Sequence, residues 1–108
     1  MVYSSQSTES DNLISARLRD EVFLVERHIK MLRLIRDEGP VGIIKLAERT
    51  NFPQHKVRYS LRILEETGLI RPSPRGAVIT DTADEFVLDF KDLLVELESK
   101  IDKMKQIL

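Results

Sequence analysis

The stretch Gly42–Thr80, GIIKLAERTNFPQHKVRYSLRILEETGLIRPSPRGAVIT, decides the fold of this chain. Its pattern predicts a short helix, a tight turn, a longer helix and a small hairpin in immediate succession. Asn51 stands where the chain must reverse direction, and asparagine tolerates the left-handed backbone better than most other residues. Phe52 is predicted to fill the corner between the two helices. Because Pro53 has a preset φ and its missing N–H costs nothing there, the second helix is predicted to run from Pro53 to about Thr67.

The second helix is predicted to have one buried side and one exposed side. Val57, Leu61 and Leu64 recur at the spacing of an apolar stripe on one helix face. The opposite face is polar and positively charged, and its predicted exposed residues are Gln54, His55, Lys56, Arg58, Tyr59 and Arg62. Gly68 follows at the position where a helix C-cap needs positive φ.

A hairpin is predicted directly after this helix. Residues 69–70 begin its first strand, and residues 77–80 form the second strand. Between them, the segment RPSPRG has the proline, serine and glycine content of a turn. It also carries two cations, Arg71 and Arg75.

The segment LAERTNFPQHKVRYSLRILEETGLI, residues 46–70, resembles the helix-turn-helix of winged-helix transcriptional regulators, particularly the small archaeal and bacterial ones of the MarR, PadR and ArsR type. The matching positions are Leu46-Ala47, Thr50-Asn51, Val57 and the segment Leu64–Ile70. Asn51 replaces the usual glycine and Pro53 replaces a usual serine cap, and the local geometry accepts both changes. The resemblance covers roughly Glu38 to Phe86. It implies that the hairpin is the wing, and it is much less specific for a target sequence or signal than for the fold.

Length and composition bound the rest of the chain. A protein of 108 residues with 42% hydrophobic residues is expected to form one domain with a small core and at most an extra helix or two. There is no cysteine, which excludes disulfides and thiolate metal sites and fits a reducing compartment, so a cytoplasmic location is expected. No apolar run approaches the ~20 residues that span a bilayer, and the first residues lack the features of a signal peptide.

Charge is distributed unevenly along the chain. The formal net charge is only −1, which alone argues against a protein that binds nucleic acid. Residues 54–75, however, carry five basic and two acidic side chains, whereas residues 76–108 carry four basic and eight acidic ones. This separation would orient the protein on a polyanion through the second helix and the hairpin.

Before this central stretch, residues 1–12 are polar and are predicted to be a flexible tail. A long helix is predicted from about Leu13 to Glu38, where Gly39-Pro40 ends it. Its apolar seam consists of Leu18, Val22, Val25, Ile29 and Leu32. Additional apolar residues predict that this helix packs on two sides, one against the central stretch and the other against a partner. Residues 41–43 are a candidate for a short strand added to the hairpin.

After the hairpin, a final helix is predicted to run to the end of the chain. Thr82 with Glu85 fits the spacing of a capping box, and the resemblance favours Thr80 as the cap. Apolar residues recur in this helix with heptad spacing, at Val87, Phe90, Leu94, Leu97, Ile101, Met104 and Leu108. Since a small domain cannot cover such a helix, we expect homodimerisation. The expected organisation is a tail (1–12), a winged helix-turn-helix domain (13–80) and a coiled-coil-like dimerisation helix (81–108).

The exposed face of the second helix is the candidate DNA-binding surface. Arg58 and Arg62 could contact guanine edges or phosphate, and Tyr59 could bond a phosphate. Gln54 and His55 occupy the first turn, which in helix-turn-helix proteins approaches the bases. Arg71 and Arg75 are expected to contact phosphate or the minor groove. Lys45 and Lys56 could contact phosphate, and the alternative is that they are surface charges without a binding role. The competing interpretation of the whole face is a solvated helix surface.

No other chemistry has a motif in this sequence. There is no nucleophile motif, glycine-rich phosphate loop or set of paired metal ligands, so we expect neither an enzyme nor a cofactor. His28 is expected at a surface or interface. Phe86 and Phe90 could line a pocket for an unknown small-molecule effector, although plain helix packing is the simpler interpretation.

The sequence therefore predicts a mainly α-helical protein with a small β-hairpin wing and long N- and C-terminal helices. Its expected function is that of a homodimeric regulator of transcription that binds double-stranded DNA. The alternative is a winged-helix module that binds protein in a larger assembly.

Overall fold

The computed structural model describes residues 9–108, with side chains from residue 13 onward. This part of the chain forms, in order, α1 (Glu9–Glu38), α2 (Ile43–Thr50), α3 (Gln54–Glu66), β1 (Ile70–Arg71), β2 (Val78–Ile79) and α4 (Ala83–Ile107). Of the tail predicted for residues 1–12, residues 1–8 lie outside the described residues. The backbone of residues 9–12 already belongs to α1, so the helix begins four residues before the predicted start.

The core lies where α1, α2, α3 and the hairpin meet. Only the C-terminal half of α1 contributes to it. The buried apolar side chains are Met31, Leu32, Ile35, Val41, Leu46, Val57, Leu64, Leu69, Ile70 and Ala83. Phe52, Leu61, Phe86 and Val87 are partly buried against this cluster. The predicted stripe of α3 is therefore correct at Val57 and Leu64, whereas Leu61 lies at the margin of the core.

The three residues that join α2 to α3 form the predicted tight turn. Asn51 adopts the left-handed conformation, with φ 63° and ψ 16°, and its backbone N–H donates to the Ala47 carbonyl at 2.9 Å. Pro53 is extended, with φ −61° and ψ 150°, and stands at the N-cap of α3. Its carbonyl accepts hydrogen bonds from the N–H groups of Lys56 and Val57. The helix thus begins at Gln54, one residue after the predicted start.

The hairpin is a two-stranded antiparallel sheet in which Ile70 pairs with Ile79 and Arg71 with Val78. The link between α1 and α2 adds one isolated antiparallel bridge, between Val41 and Ala77. The two backbone hydrogen bonds of this bridge measure 2.9 and 3.1 Å. The candidate strand at residues 41–43 is therefore reduced to this single pairing, which holds the hairpin against the end of α1.

The start of α4 lacks the predicted capping box. Thr82 stands at the N-cap of α4, but it has αR backbone angles and makes no side-chain cap hydrogen bond. Instead, the hydroxyl groups of Thr80 and Thr82 donate to the Gly68 carbonyl at 2.6 and 2.9 Å. Gly68 has φ 82°, as its predicted role at the end of α3 requires. Both threonines thus satisfy a carbonyl beyond α3, and the predicted pairing of Thr82 with Glu85 is wrong.

Helix α4 leaves the core soon after it begins. Phe86, Val87 and Phe90 are half-buried, and every residue from 91 to 108 is exposed. At 1.5 Å per residue, the exposed segment extends for about 27 Å. None of the helices that the structure describes has an apolar segment long enough to cross a bilayer.

Gly76 is the hairpin position that tolerates a side chain least. Its φ is 128°, and a Cβ atom there would lie 2.5 Å from the carbonyl carbon of Val41. We expect Gly76→Ala to lower the free energy of unfolding by at least about 1–3 kcal/mol, since backbone strain and steric overlap act together. Urea denaturation would measure this loss. Gly42→Ala is the matched control, because Gly42 has φ −95° and open space around the added methyl group. Equal stability of the two variants would contradict the close approach of Gly76 to Val41.

Candidate nucleic-acid interface

The outward face of α3 presents all six predicted residues to solvent. Gln54, His55, Lys56, Arg58, Tyr59 and Arg62 are each exposed. The first turn of α3 contains no acidic residue, so no side chain of that turn neutralises the positive end of its helix dipole. The guanidinium carbon of Arg62 lies 5.1 Å from the centroid of the Tyr59 ring, which is within the range of a cation–π contact. This end and face of α3 are therefore suited to attract an anion.

The hairpin arginines form a second group beside α3. Arg71 and Arg75 are exposed and line an open cleft between the hairpin and α3. On the α3 side, the cleft is lined by Leu61 and Glu65, so the charged side chain on that side is a carboxylate. The predicted residues consequently lie in two groups, one on the outward face of α3 and one on the hairpin. The carboxylate of Glu65 disfavours a phosphate inside the cleft that separates them.

The basic residues of α3 and the hairpin have no carboxylate partner among residues 13–108. Within the described chain, ion pairs link Lys30 to Glu26, Arg33 to Asp37, Arg36 to Asp84 and Arg49 to Glu38. None of these involves the five basic residues of the segment 54–75, which are Lys56, Arg58, Arg62, Arg71 and Arg75. Their charge is thus left for an external anion, whereas four cations of α1 and α2 are compensated within the chain.

Beneath this face lies a polar contact that the sequence interpretation missed. Ser60 is fully buried, with 0% of its surface exposed. Its hydroxyl accepts a hydrogen bond from Nε of Arg27 at 2.9 Å and lies 2.8 Å from Nδ1 of His28. Ser60 falls three residues after Val57 on the buried stripe of α3, and this spacing could have revealed its burial. No local pattern identifies its partners, because they are more than thirty positions away on α1.

His28 is predicted to lie at a surface or interface. It belongs to α1, faces α3 and is half-buried. Its ring centroid is 6.0 Å from that of Tyr59, with the rings tilted by 34°. Removal from water lowers the pKa of His28 below its usual value of 6.5, and the charge of Arg27 lowers it further, while Glu21 acts in the opposite direction. The neutral form of the imidazole is therefore favoured.

The predicted dimerisation residues follow one stripe along α4. Val87 and Phe90 are half-buried at its base, and the five residues beyond them, Leu94, Leu97, Ile101, Met104 and Leu108, are exposed. On α1, four residues of the predicted seam are also exposed, namely Leu18, Val22, Val25 and Ile29, and only Leu32 is buried. Further exposed apolar residues lie outside both predicted patterns, at Leu13, Ile14, Phe23, Leu88, Leu93, Val95 and Ile107. More apolar surface is open to solvent than the heptad spacing alone indicated.

The aromatic pair at the base of α4 packs beside a small cavity. Phe86 and Phe90 stack with ring centroids 5.3 Å apart. With Val25, Ile29 and other apolar residues, they line a cavity of about 130 Å³ between α1, α3 and α4. Pockets that bind drug-sized ligands usually measure ~300–1,000 Å³. The size of this cavity therefore favours helix packing over an effector site.

Residues 13–108 contain no group of three or more histidine, aspartate or glutamate side chains placed to hold a metal ion. No protein-family model matches the chain, and no curated protein matches it.

Proposed function

We propose that this protein is a homodimeric regulator of transcription that binds double-stranded DNA in a sequence-specific manner. In this proposal, α2 and α3 are a helix-turn-helix, α3 enters the major groove, and the hairpin is a wing on the DNA backbone or in the minor groove. Helix α3 would use Gln54, His55, Lys56, Arg58, Tyr59 and Arg62, and the wing would use Arg71 and Arg75. The order of the elements and the three-residue turn support a docking geometry in which a helix of this kind reads base edges.

The observation that carries the proposal is that no carboxylate among residues 13–108 pairs with the five cations of α3 and the hairpin. An exposed cation can gain a favourable contact from a phosphate, and release of the ions condensed on DNA adds to this gain. The same five charges lie on one helix face and on the neighbouring hairpin, while the acidic excess of the chain lies in α4. This arrangement supports a polyanion as the partner and α3 as the element that meets it.

The second part of the proposal, a homodimer, is supported by the exposed apolar stripe of α4. Exposed apolar patches of this extent are typical of protein interfaces. A twofold dimer would present two copies of α3 to successive turns of a palindromic site.

A second candidate function rests on the same apolar surface. The exposed residues of α1 and α4 would also suit a winged-helix module that binds a different protein in a larger assembly. Such a module has no need for unpaired cations on α3, and its partner would bind independently of duplex DNA. DNA binding by the isolated protein therefore separates the two functions.

The decisive experiment is a titration of random-sequence duplex DNA at several salt concentrations. We expect the affinity to fall steeply as salt rises, with a log–log slope set by the number of phosphates contacted. Arg75→Ala should reduce this slope by about one unit for every sequence tested. Lys103→Ala, which removes one exposed charge from the far end of α4, should leave the slope unchanged. Absence of binding, or binding that is insensitive to salt, would favour the protein-interaction module.

A further inference from the structure

One buried hydroxyl group adds a polar link to the apolar packing between α3 and α1. Ser60 is the only fully buried polar side chain among residues 13–108. Two other helical hydroxyl groups, those of Thr50 and Thr67, donate to the backbone carbonyl four residues earlier. Ser60 instead contacts Arg27 and His28 on α1. Its hydrogen bonds therefore connect two helices rather than stabilising its own.

The protons at this contact can be assigned by counting donors and acceptors. The Nε–H of Arg27 can only donate, so it occupies a lone pair of the Ser60 oxygen. The hydroxyl proton of Ser60 then needs an acceptor, and Nδ1 of His28 lies 2.8 Å away. An unprotonated Nδ1 accepts this proton, which satisfies the Ser60 hydroxyl group and places the imidazole proton on Nε2. A protonated Nδ1 would leave the buried hydroxyl proton without this acceptor, and burial makes such a loss costly.

We infer that Arg27 and His28 are positioning residues for the DNA-facing side of α3. They lie behind that face and act through Ser60. Together with the buried Val57 and Leu64, Ser60 holds the rotation of α3 about its own axis. That rotation sets the direction of Tyr59 and of Arg62, whose guanidinium carbon lies 5.1 Å from the centroid of the Tyr59 ring. This inference rests on the proposed DNA-binding function, because only a DNA-binding face gives the orientation of Tyr59 and Arg62 a role in recognition.

The contact also makes the orientation of α3 sensitive to pH. Protonation of His28 turns its Nδ1 from an acceptor into a donor. Around the ring, Arg27 on α1 opposes the added charge and Glu21 on α1 favours it, while α3 contributes Tyr59 and the cation of Arg62 beyond it. The part of α4 that lines the adjacent cavity contributes apolar rings rather than charges.

The lowered pKa of His28 determines the direction in which stability changes with pH. The unfolded chain binds a proton at His28 near pH 6.5, whereas the folded protein binds it only at lower pH. The stability that the fold gains from the neutral, half-buried imidazole is therefore complete above pH 6.5 and is lost as the pH falls below that value. We expect DNA affinity to decrease over the same interval, since the geometry of α3 depends on the same contact.

The test compares two substitutions of His28. In His28→Asn, the side-chain oxygen can take the place of Nδ1 and accept the Ser60 proton, but the side chain does not titrate. His28→Ala removes the acceptor. At pH 8, we expect His28→Asn to bind a 20-base-pair duplex within about twofold of wild type, and His28→Ala to bind about three- to tenfold more weakly, the range that corresponds to one lost hydrogen bond. Between pH 8 and pH 5.5, wild type should lose more affinity than His28→Asn does.

Nuclear magnetic resonance separates this inference from the proposed function. Imidazole ¹⁵N shifts of wild type should show His28 protonated on Nε2 alone at pH 8, and contacts between Tyr59 and Arg62 should persist in His28→Asn and weaken in His28→Ala. These spectra need no DNA, so failure of wild type to bind duplex would overturn the proposed function and leave this result standing. A proton on Nδ1 at pH 8, unchanged Tyr59–Arg62 contacts in His28→Ala, or identical pH profiles of wild type and His28→Asn would overturn the inference. If His28→Ala does not fold, the tautomer of wild type and the pH profiles of wild type and His28→Asn still test the inference.

Discussion

Replacing both Arg58 and Arg62 by alanine is expected to weaken binding to duplex DNA by at least about 30-fold. Contacts of this kind are each worth about 1–3 kcal/mol, and about 1.4 kcal/mol corresponds to a factor of ten in affinity. Neither arginine has a carboxylate partner in the described chain, and both are exposed. The free energy of unfolding should therefore change by less than about 1 kcal/mol, as for most surface substitutions. Fluorescence anisotropy with a labelled duplex and urea denaturation would measure the two quantities.

The control for this pair is Arg17→Ala with Arg19→Ala, which removes the same charge from the exposed N-terminal half of α1. A general loss of positive charge would weaken DNA binding equally in both double variants. A specific role of α3 requires the α1 variant to retain most of its affinity. If the α3 variant binds duplex as wild type does, α3 is not the DNA-binding element.

Placing a glutamate in the apolar stripe of α4 is expected to convert a dimer into a monomer. Leu97 and Ile101 are 39% and 51% exposed in the single chain. Burying one large apolar side chain contributes roughly 1.5–3 kcal/mol, and association costs about 4–15 kcal/mol in lost translational and rotational freedom. Several buried pairs of the stripe can therefore hold a dimer, and one buried charge in each chain reverses the balance. We expect Leu97→Glu or Ile101→Glu to sediment as a monomer at micromolar concentration.

The same variants should lose most of their specific DNA affinity, although every DNA-facing residue remains. Two copies of α3 about 34 Å apart engage a palindrome together, and a monomer reaches only one half-site. Val95→Glu is the matched control. Val95 is 64% exposed on the same helix, but it lies outside the heptad stripe. A wild-type protein that sediments as a monomer at micromolar concentration would rule out the homodimer and leave the stripe available to another protein.

The parts of the fold that could be predicted from the sequence are those that depend on local backbone chemistry and on periodicity. Asn51 and Gly68 stand at helix ends and have positive φ, as expected from residues that tolerate the left-handed conformation. The apolar spacing of α3 correctly separated the buried Val57 and Leu64 from the charged face. Each of these features is determined within a few neighbouring residues, so the sequence contains the necessary information.

The errors concern groups with alternative partners far away in the chain. Thr82 matches a capping pattern, but its hydroxyl donates to the carbonyl of Gly68, which only the folded structure brings within reach. No sequence-based prediction exists for Ser60, which is buried and has two polar partners on α1. Competition between distant hydrogen-bonding partners is not visible in a local pattern.

The attachment of the hairpin has a consequence for how the protein could choose among DNA sequences. The Val41–Ala77 bridge holds one side of the hairpin, and the bonds of Thr80 and Thr82 to Gly68 hold its base. A hairpin ordered in this way loses little conformational entropy when it meets a partner, so more of the contact energy remains as affinity. Such a hairpin also changes its conformation little to fit a partner. In a complex of the proposed kind, the fixed span from α3 to the hairpin would favour DNA whose groove width already matches it, and selectivity would arise from the shape of base pairs that no side chain touches.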